Sequence, residues 1–282
     1  MGILYIIPTP IGNLQDISYR ALHILKSVNL ILSESIQHTL ILLKKFSIKN
    51  IINTLNKHNE YQKTFQYVTK LLNGQNIALV SKAGTPLLND PGYLLVNLAY
   101  KKKIRIVPVP GACAAITALS ACNIQTTSFC YEGFFPSLSQ ERIKKIKKIK
   151  YETRTLIFYE SPKRIMNTLK DLKKEIEITR KIMIARELTK IWEQILTGTL
   201  QEILLLLKNN LNWQKGEIVI IIEGYKNKKK NIISPKMKKI FNILLKEISF
   251  SNSIKIMNKI YGIKKNFLYN KMINKNTLNK VN

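Results

Sequence analysis

Along the first half of the chain, short runs of apolar residues alternate with longer stretches in which apolar positions recur every three or four residues. LYIIP (4–8), VNLILS (28–33), NIALVS (76–81) and IRIVPV (104–109) read as strands, while RALHILK and EYQKTFQYVTKLL between them read as helices. That alternation predicts βαβ units on a parallel sheet. The runs are apolar at nearly every position, as strands covered on both faces must be. A second series follows residue 122: FCYEGFF (129–135), TLIFYE (155–160), KIMIARE (181–187), WEQILTG (192–198) and EIVIIIEG (217–224). The pattern predicts an α/β domain over 1–121, another over 122–225, and a joint near 120–126.

Two basic segments stand apart from this plan. ERIKKIKKIK places Ile143, Ile146 and Ile149 three apart with Lys between them, which on a helix gives a narrow apolar stripe and a wide basic face. Residues 226–282 hold 15 Lys and one acid, Glu247. Within that tail SNSIKIMNKIYGIKKNFLYNKMI reads as a helix, a turn at Gly262 and a second helix, either a helix-turn-helix module or a plain helical hairpin.

Composition adds a net charge of +29, from 46 Lys and Arg against 17 Asp and Glu. A polyanionic partner is one reading. A coding bias is the other, because only seven of these cations are Arg and Lys, Asn and Ile crowd together throughout. Where the charge clusters is therefore more informative than its sum. Cys113, Cys122 and Cys130 form no CxxC pair and have no histidine cluster beside them, so neither a metal site nor a disulfide framework is indicated. His38 and His58 read as polar packing residues. The N-terminal run lacks a basic leader and stops at Pro8, position 6 is Ile where a myristoylation signal needs Ser or Thr, and no apolar stretch reaches a membrane span. A soluble protein of a reducing cytoplasm is expected.

Ligands of parallel sheets lie beyond the carboxyl ends of the strands, where this chain places PTPIGN (8–13), SKAGTP (81–86) and PVPGACAA (108–115). Each loop has Gly or Pro where a backbone bends sharply or approaches a ligand. Together with GFFP (133–136), FYESPKR (158–164), ARELTK (185–190) and KGE (215–217), they resemble the signature set of the RsmI family, within the tetrapyrrole methylase superfamily. The match runs in order from Leu4 to about Gly224, and the tail is similar to that family's C-terminal helix-turn-helix module. No GxGxxG fingerprint of the Rossmann methyltransferases is present.

The resemblance implies two tetrapyrrole-methylase-like α/β domains with a cofactor cleft between them, a small C-terminal helical module, and commonly a homodimer. The implied activity is S-adenosylmethionine-dependent methylation of a cytidine ribose 2′-oxygen in the decoding region of small-subunit (16S) rRNA, on the rRNA or the assembled subunit. Carried over, Pro10, Ala83, Gly84, Thr85, Gly111, Ala112 and Cys113 line the cofactor, and Tyr159, Leu188 and Gly216 close over it. Gly84 and Gly111 are expected to approach the ligand too closely for a side chain. A ribose hydroxyl is a poor nucleophile until its proton leaves, so a base is useful. Glu160 and Glu187 are the candidates, with Arg186 and Lys190 placed for the adjoining phosphate. The alternative for Arg186 and Glu187 is an ion pair stitching the second domain. The chain departs from the family at Lys82, where Asp is usual, at Ser35, Ile36 and Gln37, where an acidic-Thr-Arg run is usual, and at Ala112-Cys113. These departures keep open a non-catalytic RNA-binding or ribosome-assembly protein, and a tetrapyrrole methyltransferase shares the same cleft.

Overall fold

Strands without polar positions need cover on both faces, and the alternation of side chains along each strand decides which helix supplies it. In chain order the first half runs β1 (Ile3–Ile7), a 3-10 turn (Leu14–Asp16), α1 (Tyr19–Ser27), β2 (Leu30–Ser33), α2 (Ile36–Lys45), β3 (Ile52–Thr54), α3 (Glu60–Leu72), β4 (Ile77–Val80), α4 (Tyr93–Lys101), β5 (Arg105–Pro108) and α5 (Ala114–Ser120). The sheet order is β3-β2-β4-β1-β5 and every pairing is parallel. On β4, Ala78 and Val80 join the cluster packed by Ala21, Leu25, Leu42 and Leu43 of α1 and α2. Ile77 and Leu79 face the other way, against Tyr67, Val68 and Leu71 of α3 and Leu95 and Ala99 of α4. The computed structural model describes residues 1–210, 213, 215–226 and 235–276.

The second half runs β6 (Phe129–Phe134), α6 (Ser139–Ile149), β7 (Thr155–Glu160), α7 (Ile165–Glu175), β8 (Lys181–Arg186), β9 (Gln194–Thr199), α8 (Leu200–Asn209) and β10 (Ile218–Ile222). Its sheet, β6-β7-β10-β8-β9, is mixed: β6 and β7 are parallel, while β10 runs antiparallel between β7 and β8. Helices α6, α7 and α8 cover one face with Ile146, Leu169, Leu172, Ile203 and Leu207. The other face receives α5, whose Ala115, Ala118 and Leu119 pack against Ile157, Met183, Val219 and Ile221. The element expected to close the first domain is thus the one that seals the two sheets together. Met1–Tyr225 forms one compact unit and Lys226–Asn282 a second.

The second unit contains α9 (Pro235–Glu247), α10 (Phe250–Tyr261) and α11 (Lys265–Asn276), with a core of its own from Met237, Phe241, Ile254, Met257, Leu268 and Met272. Gly262 ends α10 at φ +63, the left-handed cap that only glycine adopts without steric cost, and its N–H donates to Asn258 O at 2.8 Å. The turn expected there is present, with an additional helix, α9, ahead of it. The lysine run 228–230 lies outside the described residues.

Candidate active site

Parallel strands end together, so the loops after β1, β4 and β5 meet at one edge of the first sheet, where they are tied to one another. Thr9 N donates to Gly84 O at 2.9 Å and Gly84 N donates back to Thr9 O at 2.8 Å. Ser81 Oγ donates to Gly84 O at 2.6 Å, and Thr85 Oγ1 reaches Ala112 O in the loop after β5 at 3.0 Å. Gly84 sits at φ +80, and a Cβ at Gly111 would stand 2.8 Å from Pro8 Cβ. Both glycines are therefore demanded by the loops themselves. Gly84 supplies a left-handed turn and also lines the cleft described below, while Gly111 makes room for Pro8.

This edge forms one wall of a cleft of about 420 Å³, and the second sheet forms the other. Ala83, Gly84 and Thr85 line the first wall, with Asn89 and Asp90; Phe134, Tyr159, Leu188, Gly216 and Val219 line the second. Tyr159 is fixed from both sides. Its hydroxyl accepts from Ala115 N at 3.2 Å, and Tyr131 and Phe134 meet its ring edge-on at centroid distances of 5.2 and 5.5 Å. Burial pushes the Tyr159 hydroxyl well above the usual tyrosine range and Tyr131 up to about 12, so both remain neutral hydrogen-bonding groups at ordinary pH.

Not every anticipated residue reaches the cleft. Ala112 contributes its carbonyl to Thr85, while Ala112 and Cys113 pack against the cluster around α5, and Gly111 stands behind Pro8. Pro10 lines an adjoining cavity of about 260 Å³ with Thr9, Gly12, His38, Lys82 and Lys190. The two halves touch closely here, since a Cβ on Gly12 would lie 2.5 Å from Lys190 Cγ and Asn13 N donates to Thr189 Oγ1 at 3.0 Å.

The four expected catalytic residues are mostly engaged elsewhere. Glu160 borders the cleft but is buried, accepting from Ser161 N at 2.6 Å, Arg164 Nε at 3.0 Å and Thr168 Oγ1 at 2.5 Å. It anchors the start of α7. Arg186 turns away: its guanidinium reaches Gln194 Oε1 at 3.0 Å and the carbonyls of Trp192 and Lys215 at 3.4 Å, over the Trp213 ring. A phosphate would have to displace these partners to reach the guanidinium. Glu187, at φ +53, accepts from Lys190 Nζ at 2.8 Å and Glu217 N at 2.9 Å. Burial raises the Glu187 pKa, but these donors outweigh it and hold the carboxyl below its usual range. Lys190 also pairs with Glu217 Oε2 at 3.0 Å, so two carboxylates already meet its charge. Gly216, at φ +82, is glycine because a side chain there would collide with Glu187.

Four carboxylates border the cleft, Glu34, Asp90, Glu160 and Glu217, against Lys82, whose side chain is exposed and borders both cavities. Lys82 N donates to Glu34 Oε2 at 3.3 Å. An acidic rim over loops of small residues favours a positively charged ligand. Asp90 escaped the sequence reading although it lies in SKAGTPLLNDPGY between two Gly/Pro elbows; its signal was that position, not its residue type.

Comparison with known proteins follows the same outline. Residues 3–204 match the family model for Tetrapyrrole (Corrin/Porphyrin) Methylases. The chain is 50% identical over 281 residues to the Ribosomal RNA small subunit methyltransferase I of Buchnera aphidicola subsp. Baizongia pistaciae (strain Bp), covering 100% of this chain and 96% of that protein. Among solved structures, the methyltransferase CobJ superposes with a TM-score of 0.60 at 15% identity, covering 79% of this chain and 95% of that one. Uroporphyrin-III C-methyl transferase from Thermus thermophilus, complexed with S-adenyl homocysteine, gives 0.54 at 13%, covering 78% and 97%.

Proposed function

Because the chain belongs to the Tetrapyrrole (Corrin/Porphyrin) Methylases and, within them, to the ribosomal RNA small subunit methyltransferase I family, we propose that it is an S-adenosylmethionine-dependent rRNA methyltransferase. The finer reading is methylation of a cytidine ribose 2′-oxygen in the decoding region of the small subunit. The observation that carries the proposal is the cleft between the two sheets, with its acidic rim and its floor of interlocked small-residue loops.

The residues fit the cofactor by chemistry. When bound, S-adenosylmethionine supplies an electrophilic methyl group on a positively charged sulfur. Ala83, Gly84 and Thr85 offer backbone at the first wall, Tyr159 and Leu188 offer apolar surface at the second, and the carboxylates favour a cation over a neutral ligand. The exposed Lys82 can place its ammonium in solvent, which relieves the repulsion that its replacement of an acid implies. Holding the acceptor oxygen in line with the methyl group supplies much of the acceleration in such a displacement.

The adjoining cavity, which shares Ile11, Lys82, Ala83 and Glu217 with the first, is where the acceptor strand would enter. The partner is small-subunit rRNA or the assembled subunit, and the functional form is a homodimer in the cytoplasm. No described helix is long and apolar enough to cross a membrane. The test is to incubate the purified chain with undermethylated small subunits and methyl-labelled S-adenosylmethionine, then map the label. Label on one cytidine ribose of the decoding region is expected; label on a base, or none, rejects the reading.

A further inference from the structure

Removing a proton from a ribose hydroxyl requires an acceptor with a free lone pair inside the cleft, and the four carboxylates there are not equally available. Glu160 is engaged by Ser161, Arg164 and Thr168, Glu217 is paired with Lys190, and Glu34 accepts one bond on Oε2, from the Lys82 N–H at 3.3 Å. Asp90 borders the same cleft and makes no hydrogen bond or ion pair among the described residues.

The segment that carries Asp90 is built to hold it there. Leu87 and Asn89 stand at φ +72 and +70 and Gly92 at φ +124, so three of six consecutive residues occupy left-handed backbone. Non-glycine residues adopt that region at a cost and are found where the surroundings enforce it. The enforcement is visible. Behind the loop the buried carboxylate of Glu60 accepts from Gly92 N at 3.0 Å and Leu94 N at 2.7 Å, and across the cleft Tyr131 Oη donates to Asn89 Oδ1 at 3.3 Å. Asn89 also packs into the space left by the missing side chain of Gly133 on β6. Glu60 of α3 thus holds the loop after Asp90, and Tyr131 and Gly133 of β6 hold Asn89, the residue before it.

We propose that Asp90 is the catalytic base, accepting the proton of the acceptor hydroxyl as its oxygen is methylated. The proposal rests on the methyltransferase reading above. In the step, the O–H bond breaks and its proton passes to a carboxylate oxygen of Asp90. The new C–O bond forms as the C–S bond breaks, and that bond's electron pair goes to sulfur and cancels its charge. Water then takes the proton from Asp90. The groups around the carboxylate set its basicity: burial acts first and the charge of Glu34 second, both raising its pKa, while Lys57 pulls it down, leaving it at about 6. Lys82 stands on the same rim. A base with its pKa near the working pH is ionised at neutrality yet still binds a proton well.

The test uses the full chain, undermethylated small subunits and labelled S-adenosylmethionine under single-turnover conditions, with Asp90→Asn, Asp90→Glu and Glu34→Gln beside the wild type. Asp90→Asn should lower the rate constant by about 10²- to 10⁴-fold. The wild type should show an acid limb near pH 6 that Asp90→Asn abolishes, while S-adenosylhomocysteine affinity by calorimetry stays within about two-fold. Asp90→Glu should restore part of the rate and keep the limb. Independently of activity, carbon-13 NMR of the free protein should show a carboxyl titrating near 6 that vanishes in Asp90→Asn. An undiminished rate in Asp90→Asn, or an acid limb removed only by Glu34→Gln, overturns the assignment while leaving the methyltransferase reading intact. A wild type that transfers no methyl group overturns that reading, and the assignment with it.

Discussion

Two glycines in loops that touch illustrate how one residue type answers two physical demands. Gly84 needs its positive φ, and an added Cβ would find only ordinary contact, 3.4 Å from Ile11 Cγ2; Gly111 has ordinary backbone but no space beside Pro8. Gly84→Ala should therefore cost roughly 1–2 kcal/mol through backbone strain. Gly111→Ala should cost a similar 1–3 kcal/mol through overpacking, and only this loss should be recovered in part by Pro8→Gly, which removes the Cβ that the new methyl meets. Urea unfolding of the three single variants and of the two double variants that carry the Pro8 change checks both statements; recovery of Gly84→Ala by the Pro8 change would contradict them. Asp90 makes the opposite kind of claim. Its carboxyl titrates near 6 in the folded chain against an ordinary 3.8, so between those values the folded state binds more protons and stability falls as pH rises through that window. Asp90→Asn removes this term. The variant should gain on the wild type between pH 4 and 7 by on the order of 1 kcal/mol, well below the full shift because water reaches the group. Unfolding free energies that track each other across that range would show no such tension at Asp90.

At the level of elements, the sequence was most legible where burial is complete and least where polar groups are recruited inward. β2, β4 and β10 are buried at every position and were plain in the sequence as unbroken apolar runs. β3, INT, is a three-residue edge strand of half-buried positions, too short and mixed to leave a pattern. Helix α6 shows a subtler shortfall. Its expected stripe of Ile143, Ile146 and Ile149 is present only in part, because the residue beside Ile146 in the core is Arg142. Its guanidinium donates to Asp171 Oδ2 at 2.7 Å and to the carbonyls of Pro136 and Ser137 at 3.0 and 3.1 Å. Lys145 likewise turns inward, to Glu132 O at 2.8 Å and over the Phe158 ring. The face that reads as uniformly basic is thus partly spent on holding α6 to α7 and β6. Arg142→Ala should destabilise the chain by roughly 3–5 kcal/mol, because it strands a buried carboxylate. Removing both partners, as Arg142→Met with Asp171→Leu, should recover much of that loss. Burial pushes the Asp171 carboxyl up, but its bonds to Lys174, Ser139 and Arg142 outweigh this and hold it below the usual range. The pair therefore stabilises the fold above the unfolded pKa and loses that contribution as pH falls. Equal unfolding free energies for Arg142→Ala and the wild type would show the pair to be incidental. The cleft repeats the lesson: Glu160 and Arg186 stood in family-like motifs, but only coordinates show their polar atoms already occupied.

For the whole molecule, the question is where the excess of positive charge acts. The 57 residues from 226 to 282 carry 15 Lys against one Glu, a density that coding bias alone should not concentrate in one segment while acids survive elsewhere. The described part folds around its own apolar cluster. Lysine binds phosphate as a flexible point charge and reads no bases, so the tail should add affinity for rRNA without choosing the nucleotide. Neutralising Z phosphates makes log affinity fall with log salt at about 0.7Z for single strands and 0.9Z for duplex. Deleting 226–282 should therefore flatten that slope and weaken binding to small subunits, while S-adenosylhomocysteine affinity is retained, because every residue lining the cleft lies before 226. Filter binding across a salt series, with calorimetry on the same truncated protein, reads both quantities. A soluble, folded truncation whose salt slope matches the full chain would move the RNA-holding surface off the tail and onto the first unit, where the exposed Lys144 and Lys148 of α6 would be the next to replace.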